Sequence, residues 1–121
     1  MAGRRTDLST LRAAWWALRS ARRARRRLDR DGLEAVAMLP AAPELPDEAA
    51  RGVYAVLRRR TDTCLVRSMV LQTWDAAHGR PRDLIVGVTS PSDGFQAHAW
   101  LEGDPPCEAE GFRELLRRPP R

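Results

Sequence analysis

Two side chains in this sequence could together carry nucleophilic chemistry, Cys64 and His98. Cys64 follows Thr61-Asp62-Thr63, and because Asp62 or Thr63 is suited to cap a helix, the thiol is predicted in that helix's first turn. Unpaired backbone donors and the positive end of the helix dipole favour thiolate over thiol there. An imidazole alongside would act as base for the thiol and then as acid for a departing amine. The pattern predicts acyl chemistry at Cys64, whose own N–H would help to hold the oxyanion.

A catalytic imidazole also needs a group that holds its orientation. Glu102 shares the strand face of His98, but the strand between them separates the two by roughly 13 Å, too far for a hydrogen bond. The chain turns after Glu102, and a hairpin there would bring the following acids back beside His98. In an even register Glu110 lies opposite His98, whereas a one-residue slip would turn it away. Glu110 is therefore the predicted third member, with Glu108 and Asp104 as the alternatives.

A buried helix and a strand are predicted between the two residues. The helix runs from Cys64 to about His78, where Gly79 and Pro81 are ordinary signals for its end. Its apolar residues leave it little polar surface, so it should be the central helix of the fold. Residues 84–89 are rich in β-branched side chains and form the strand.

A second strand carries the histidine. Residues 95–102 alternate apolar and polar side chains, which separates two faces. The core face carries Phe95, Ala97, Ala99 and Leu101, and the opposite face carries Gln96, His98, Trp100 and Glu102. His98 thus leaves the core face, and Trp100 is expected to pack over the catalytic pair and limit water access. Residues 107–116 form either a third strand or a short terminal helix.

Helices and a rigid connector are predicted upstream. Four apolar residues fall in one stripe of a helix over residues 7–28: Leu8, Leu11, Trp15 and Leu18. That helix breaks at Asp31-Gly32, and a short helix follows over residues 33–39. Prolines at 40, 43 and 46 then space out an extended connector. Another helix begins at Pro46 and ends in Arg58-Arg59-Arg60, where positive charge suits the helix dipole.

These elements define an N-terminal basic helical portion with its connector, residues 1–45, and a catalytic portion, residues 46–121. Both belong to one compact α+β domain, in which the N-terminal helices pack on the Cys-bearing helix and a small antiparallel sheet presents His98. The 121 residues suffice for one modest core. Two cysteines are too few for a disulfide framework and lack metal-knuckle spacing, which favours a reducing cytoplasm with no metal or cofactor.

Charge is spread unevenly along the chain. The net charge is +5, all 21 basic residues are Arg, and residues 1–30 hold ten Arg against Asp7 and Asp29. An Arg-rich helix with two adjacent Trp could bind nucleic acid, lie on an anionic membrane surface, or dock a partner protein. Arg usage of this kind is also typical of codon bias with solvated side chains. No apolar run is long enough for a membrane span.

Three stretches carry a family resemblance: Cys64-Leu65-x-Arg67-Ser68, Ile85-Val86-Gly87-Val88 and Phe95-x-Ala97-His98-Ala99-Trp100-Leu101-Glu102. In order and spacing they resemble the stand-alone leader peptidases of lasso-peptide biosynthesis. The resemblance covers about residues 50–116 and implies a papain-like or transglutaminase-like fold, with Cys64 as nucleophile and His98 as general base. The family usually has Asp about a dozen residues after its His, where this chain has Glu110.

The same resemblance implies partners and a substrate. The enzyme would remove the leader region of a ribosomally made precursor peptide, with a separate leader-recognition protein delivering it and an ATP-using lasso cyclase accepting the product. Two other classes stay open: a transglutaminase-like acyl transferase, since both reactions share an acyl-enzyme, and a non-catalytic basic module that binds nucleic acid or a partner. Zinc held by Cys64, Cys107 and His98 is disfavoured, because metal ligands usually come in closer pairs.

Overall fold

A computed structural model describes residues 2–32, 39–59, 63–89, 92, 94, 96–105 and 109–120, with side chains from residue 8 onward. The elements are helices α1 (Ala2–Asp31), α2 (Ala50–Arg59) and α3 (Cys64–Ala77), and strands β1 (Leu84–Val88), β2 (Ala97–Leu101) and β3 (Arg113–Arg118). A short 3-10 turn, Asp47–Ala49, leads into α2. The predicted α+β class is confirmed. The helix predicted over residues 33–39 lies almost wholly outside the described residues.

Helix α3 is the centre of the fold, as the sequence predicts. Thr63 is its N-cap, and its side-chain oxygen accepts a hydrogen bond from the Val66 N–H at 3.3 Å. Met69, Val70 and Trp74 are at most 1% exposed, so the helix is buried along most of its length. It packs against one face of the sheet, and the core forms between them.

The three strands form an antiparallel sheet in the order β2-β1-β3. Val86 of β1 lies opposite Ala99 of β2 on one side and Leu116 of β3 on the other. The prediction that residues 107–116 return beside the strand of His98 is therefore wrong, because β3 pairs with β1. The physical reason is composition: β1 is apolar throughout and takes the central position, whereas the charged β3 suits an exposed edge.

Helix α1 packs through a face of small residues. The predicted stripe exists, but it faces solvent: Leu8, Leu11 and Trp15 are 67%, 66% and 60% exposed. The buried face of the helix consists of four fully buried alanines, Ala13, Ala17, Ala21 and Ala24. Small side chains allow the backbones of neighbouring helices to approach closely, and this close packing decides which face is buried.

Gly52 of α2 marks the closest approach between α1 and α2. A Cβ atom added there would lie 2.1 Å from the Thr10 carbonyl oxygen and 2.9 Å from the Ala14 nitrogen. Both are backbone atoms, which cannot move aside without shifting α1. We expect Gly52→Ala to lower the free energy of unfolding by about 3 kcal/mol, as strong overpacking does. Urea denaturation checks this value.

The matched control for Gly52→Ala is Arg58→Ala in the same helix. Arg58 is exposed, and its substitution should change the free energy of unfolding by no more than about 0.5 kcal/mol. Equal stability of the two variants would show that α1 and α2 are not in such close contact.

Candidate active site

Cys64 is the first residue of α3, and its sulfur contacts the edge of the sheet. The Ala99 N–H of strand β2 donates a hydrogen bond to Cys64 Sγ at 3.3 Å. Because β2 is an edge strand, this N–H is not needed for strand pairing and can serve the sulfur. The thiol is half-buried. The helix start adds further unpaired N–H groups at the same place.

His98 lies on β2, one residue before this donor, and its ring is held by aromatic contacts. Its centroid lies 5.8 Å from the Trp100 ring in a stacked arrangement and 5.2 Å from the Phe112 ring. Ala99 and Leu101, by contrast, are buried in the core. Ala97, predicted on the core face, is exposed instead. Trp100 contacts the His98 ring, and its predicted role in covering the catalytic pair stays a prediction.

Gly87 makes room for this aromatic cluster. It lies opposite His98 in the sheet, and a Cβ atom there would stand 2.8 Å from the Trp100 ring and 3.0 Å from Phe112 Cβ. Only a glycine allows the two aromatic side chains to close over β1 and reach the histidine.

Cys64 and His98 border one cavity of about 530 Å³. Its walls come from the start of α3, from residues of all three strands and from the end of α1, where Leu28 contributes. The structure therefore brings the two sequence-predicted residues to a common space. The sequence patterns did not predict that α1 and Leu115 of β3 would also border it, because these contacts depend on the tertiary arrangement alone.

The acids proposed to orient His98 have different positions. Glu110 is exposed in the turn over residues 109–111, two residues before Phe112, which contacts the His98 ring. Its orienting role stays a prediction, although the strand pairing from which it was argued is wrong. Asp104 accepts hydrogen bonds from the Leu101 N–H at 2.9 Å and from Arg82 at 3.0 Å. Glu108, like Cys107, lies outside the described residues.

Asp104 belongs to an ion-pair chain that fastens the end of α3 to the turn after β2. Arg82 Nη2 donates to Asp75 Oδ2 at 2.7 Å, while its Nη1 donates to Asp104. Burial alone would lower the pKa of Arg82, but the hydrogen bonds and charge of Asp75, and then of Asp104, outweigh it and raise the pKa. These contacts give the Asp104 carboxylate two structural partners, and its alternative role beside His98 stays a prediction.

Loss of Asp75 should be costly, because its side chain is only 6% exposed and its partner Arg82 is itself largely covered. We expect Asp75→Ala to lower the free energy of unfolding by about 3 kcal/mol, since it leaves a desolvated guanidinium without its closest carboxylate. Chemical denaturation measures this difference. Asp83→Ala is the control: Asp83 pairs with the more exposed Arg117 and should cost less than about 1 kcal/mol.

Glu102 also has a structural partner. It pairs with Arg117 of β3, which in addition contacts Asp83 and Glu114. The hydrogen bond from Arg117 lowers the pKa of Glu114. These contacts join the end of β2 to the edge strand β3 across β1.

The other histidine, His78, closes the end of α3. Its Nδ1 lies 2.7 Å from the Trp74 carbonyl oxygen and its Nε2 accepts from the Leu45 N–H at 3.3 Å. Its ring also stacks on Trp74 with centroids 4.1 Å apart. With Nδ1–H donating to Trp74, both nitrogens have a structural partner, which agrees with the prediction that His78 ends the helix.

The described ranges contain neither a candidate metal site nor a candidate membrane span. Within them, no group of three or more His, Cys, Asp or Glu side chains could hold a metal ion. The zinc alternative includes Cys107 and so lies partly outside these ranges. None of the helices there combines the length and the apolar character that crossing a membrane requires.

Cys64 thus begins α3 and accepts a hydrogen bond from β2, the strand that also carries His98. The family model of the transglutaminase-like superfamily matches residues 6–117. The chain belongs to this superfamily, and the predicted transglutaminase-like fold is confirmed. Such folds are typical of cysteine proteases and acyltransferases. Comparisons with the curated proteins and with the solved structures find no significant match.

Proposed function

We propose that this protein is a cysteine protease that removes the leader peptide from a ribosomally made lasso-peptide precursor. One observation carries the catalytic part of the proposal: Cys64 begins α3, accepts a backbone hydrogen bond from Ala99, and borders one cavity with His98. Membership of the superfamily supports acyl chemistry at this cysteine. The substrate rests on the resemblance of the Cys64 and His98 motifs to the leader peptidases.

The proposed reaction proceeds through a thioester. His98 takes the thiol proton, and the Cys64 sulfur attacks the carbonyl carbon at the junction between leader and core peptide. The carbon–nitrogen bond breaks, and His98 gives its proton to the departing core amine. Water, deprotonated by His98, then attacks the thioester and releases the leader as a free carboxylate, which restores the thiol. Glu110 is proposed to orient the imidazole during these steps.

Delivery of the substrate is proposed to need a separate leader-recognition protein, and the core peptide passes to a lasso cyclase. The exposed face of α1 supports docking of a partner, because Leu8, Leu11 and Trp15 lie in solvent. Apolar side chains exposed side by side are typical of interaction surfaces. A cytoplasmic location is proposed because two cysteines are too few for the disulfide framework that is typical of small secreted domains.

Cleavage in water enriched in heavy oxygen tests the proposal. The purified chain is mixed with precursor and recognition protein, and the products are weighed by mass spectrometry. Hydrolysis predicts a leader whose new carboxylate carries one heavy oxygen atom, together with an intact core peptide. A leader joined to an added amine instead would support the acyl-transferase alternative. No processing with every partner present would contradict both enzymatic functions.

Nucleic-acid binding is the second candidate, and one feature favours it. Six arginines line a groove along α1: Arg19, Arg22, Arg23, Arg26, Arg27 and Arg30. Phosphate contacts by such a row would make binding fall steeply as salt is raised. Titration of a labelled DNA duplex at several salt concentrations measures this slope. Leader cleavage, by contrast, should be insensitive to added DNA.

A further inference from the structure

The cavity beside Cys64 is mainly apolar and large, and the catalytic proposal does not explain either property. Apart from the two catalytic candidates, its walls are mainly apolar: Leu28, Leu65, Val66, Val86, Val88 and Leu115 contribute. Its volume of about 530 Å³ falls in the range of ligand pockets. A peptide bond needs only to approach the sulfur, so an apolar chamber of this size indicates room for a side chain as well.

Leu115 reaches this cavity because of an irregularity in the sheet. Val86 lies opposite Leu116 while the next residue, Gly87, lies opposite Glu114, so Leu115 is the extra residue of a bulge. A bulge re-aims a side chain and is often found next to an active site. Leu115 is 59% exposed, so packing does not require a leucine there, yet it lines the cavity.

Charge at the cavity is balanced. Arg25 and Asp29 of α1 both border it, one basic and one acidic. Opposite charges side by side give neither an acidic nor a basic substrate group a preferred partner. Apolar contact is therefore the main source of selectivity that the walls provide.

We propose that this cavity is a subsite for an apolar side chain of the substrate, within two residues of the carbonyl that Cys64 attacks. Leu115 and Leu28 are the residues that determine this preference. The inference rests on the proposed function of Cys64 as the nucleophile.

A binding experiment without catalysis tests the subsite. The full-length Cys64→Ala variant is titrated with acetylated dipeptide amides that carry Leu, Asp or Arg, and methyl shifts of Val86 and Val88 are followed by NMR. The Leu peptide should bind about tenfold more tightly or better, as burial of one such side chain predicts. Equal binding of the three peptides would overturn the proposal.

Variants at the rim of the cavity test whether the peptides bind in this cavity. Leu115→Asp and Ala97→Trp both change exposed positions, the first by adding charge and the second by filling the space. Each should abolish the preference for Leu, whereas Leu11→Asp, an exposed leucine on α1, should leave it unchanged. A preference that survives both rim variants would overturn the assignment of this cavity.

The reactivity of the Cys64 thiol separates failure of the subsite from failure of the proposed function. Iodoacetamide, which is too small to need the subsite, should rapidly label Cys64 in the Cys107→Ala variant, whose only thiol is Cys64, as detected by intact-protein mass. If the Leu peptide binds as expected but the thiol stays unreactive, the proposed function fails, and the cavity stands only as a binding site for an apolar side chain. If the thiol reacts but the peptides bind equally, the subsite is wrong and the nucleophile stands.

Discussion

Replacing Cys64 by Ala is expected to lower the rate of leader cleavage by about 10⁴-fold or more, since removal of a nucleophile abolishes the covalent route. The side chain is half-buried and small, and its only described hydrogen bond is the one it accepts from Ala99. The variant should therefore fold as the wild type does. Cleavage of precursor in the presence of the recognition protein, followed by mass spectrometry, measures the loss.

Cys107→Ala is the matched control for this variant. It removes the only other thiol of the chain, and we expect cleavage at the wild-type rate. Cleavage that survives in Cys64→Ala, or that is lost in Cys107→Ala instead, would contradict the assignment of the nucleophile. Circular dichroism of both variants separates loss of chemistry from loss of fold.

The elements around Cys64 could be predicted because their signals are local. Thr63 accepts a hydrogen bond from Val66 as an N-cap does, and α3 ends at Ala77 beside Gly79. The strand over 97–101 also followed from the alternation of its side chains. Each of these predictions depends on residues that are close together in sequence. Such local patterns are preserved when the chain folds.

The arrangement of those elements could not be predicted in the same way. The order of the strands depends on which strand lies at the centre of the sheet. The alternation of apolar and polar side chains along one strand does not indicate that β3 pairs with β1. The burial of α1 through Ala13 and Ala17, rather than through its leucines, follows from close helix approach at Gly52. A hydrophobicity pattern favours large apolar residues and so selects the wrong face of such a helix.

In the candidate site, too, some features could be predicted from local sequence and others could not. Cys64 and His98 were predicted from residue type, position in an element and order along the chain, and both border one cavity, while their catalytic roles stay predictions. Glu110 was predicted as the third catalytic residue from a pairing of strands that the structure does not have. Its predicted role in orienting His98 now rests on its position two residues before Phe112. The bulge at Leu115 follows no local rule, because it is defined by its partner strand.

Replacing His98 by Ala is expected to lower kcat for leader cleavage by about 10²- to 10⁴-fold, the contribution of a positioned general acid–base group. KM should change little, because the imidazole acts on protons rather than on substrate binding. The His98 ring is half-buried against Trp100 and Phe112, so some stability is lost as well. Steady-state kinetics well below the melting temperature separates the two effects.

His78→Ala distinguishes a catalytic histidine from a structural one. It removes the contacts to Trp74 and Leu45 and should cost about 2 kcal/mol, or roughly 8 °C in melting temperature. The fraction that remains folded should cleave precursor with an unchanged kcat. If instead His98→Ala lowered only the melting temperature while His78→Ala abolished cleavage, the general base would have to be His78, and the chemistry would lie at the opposite end of α3 from Cys64.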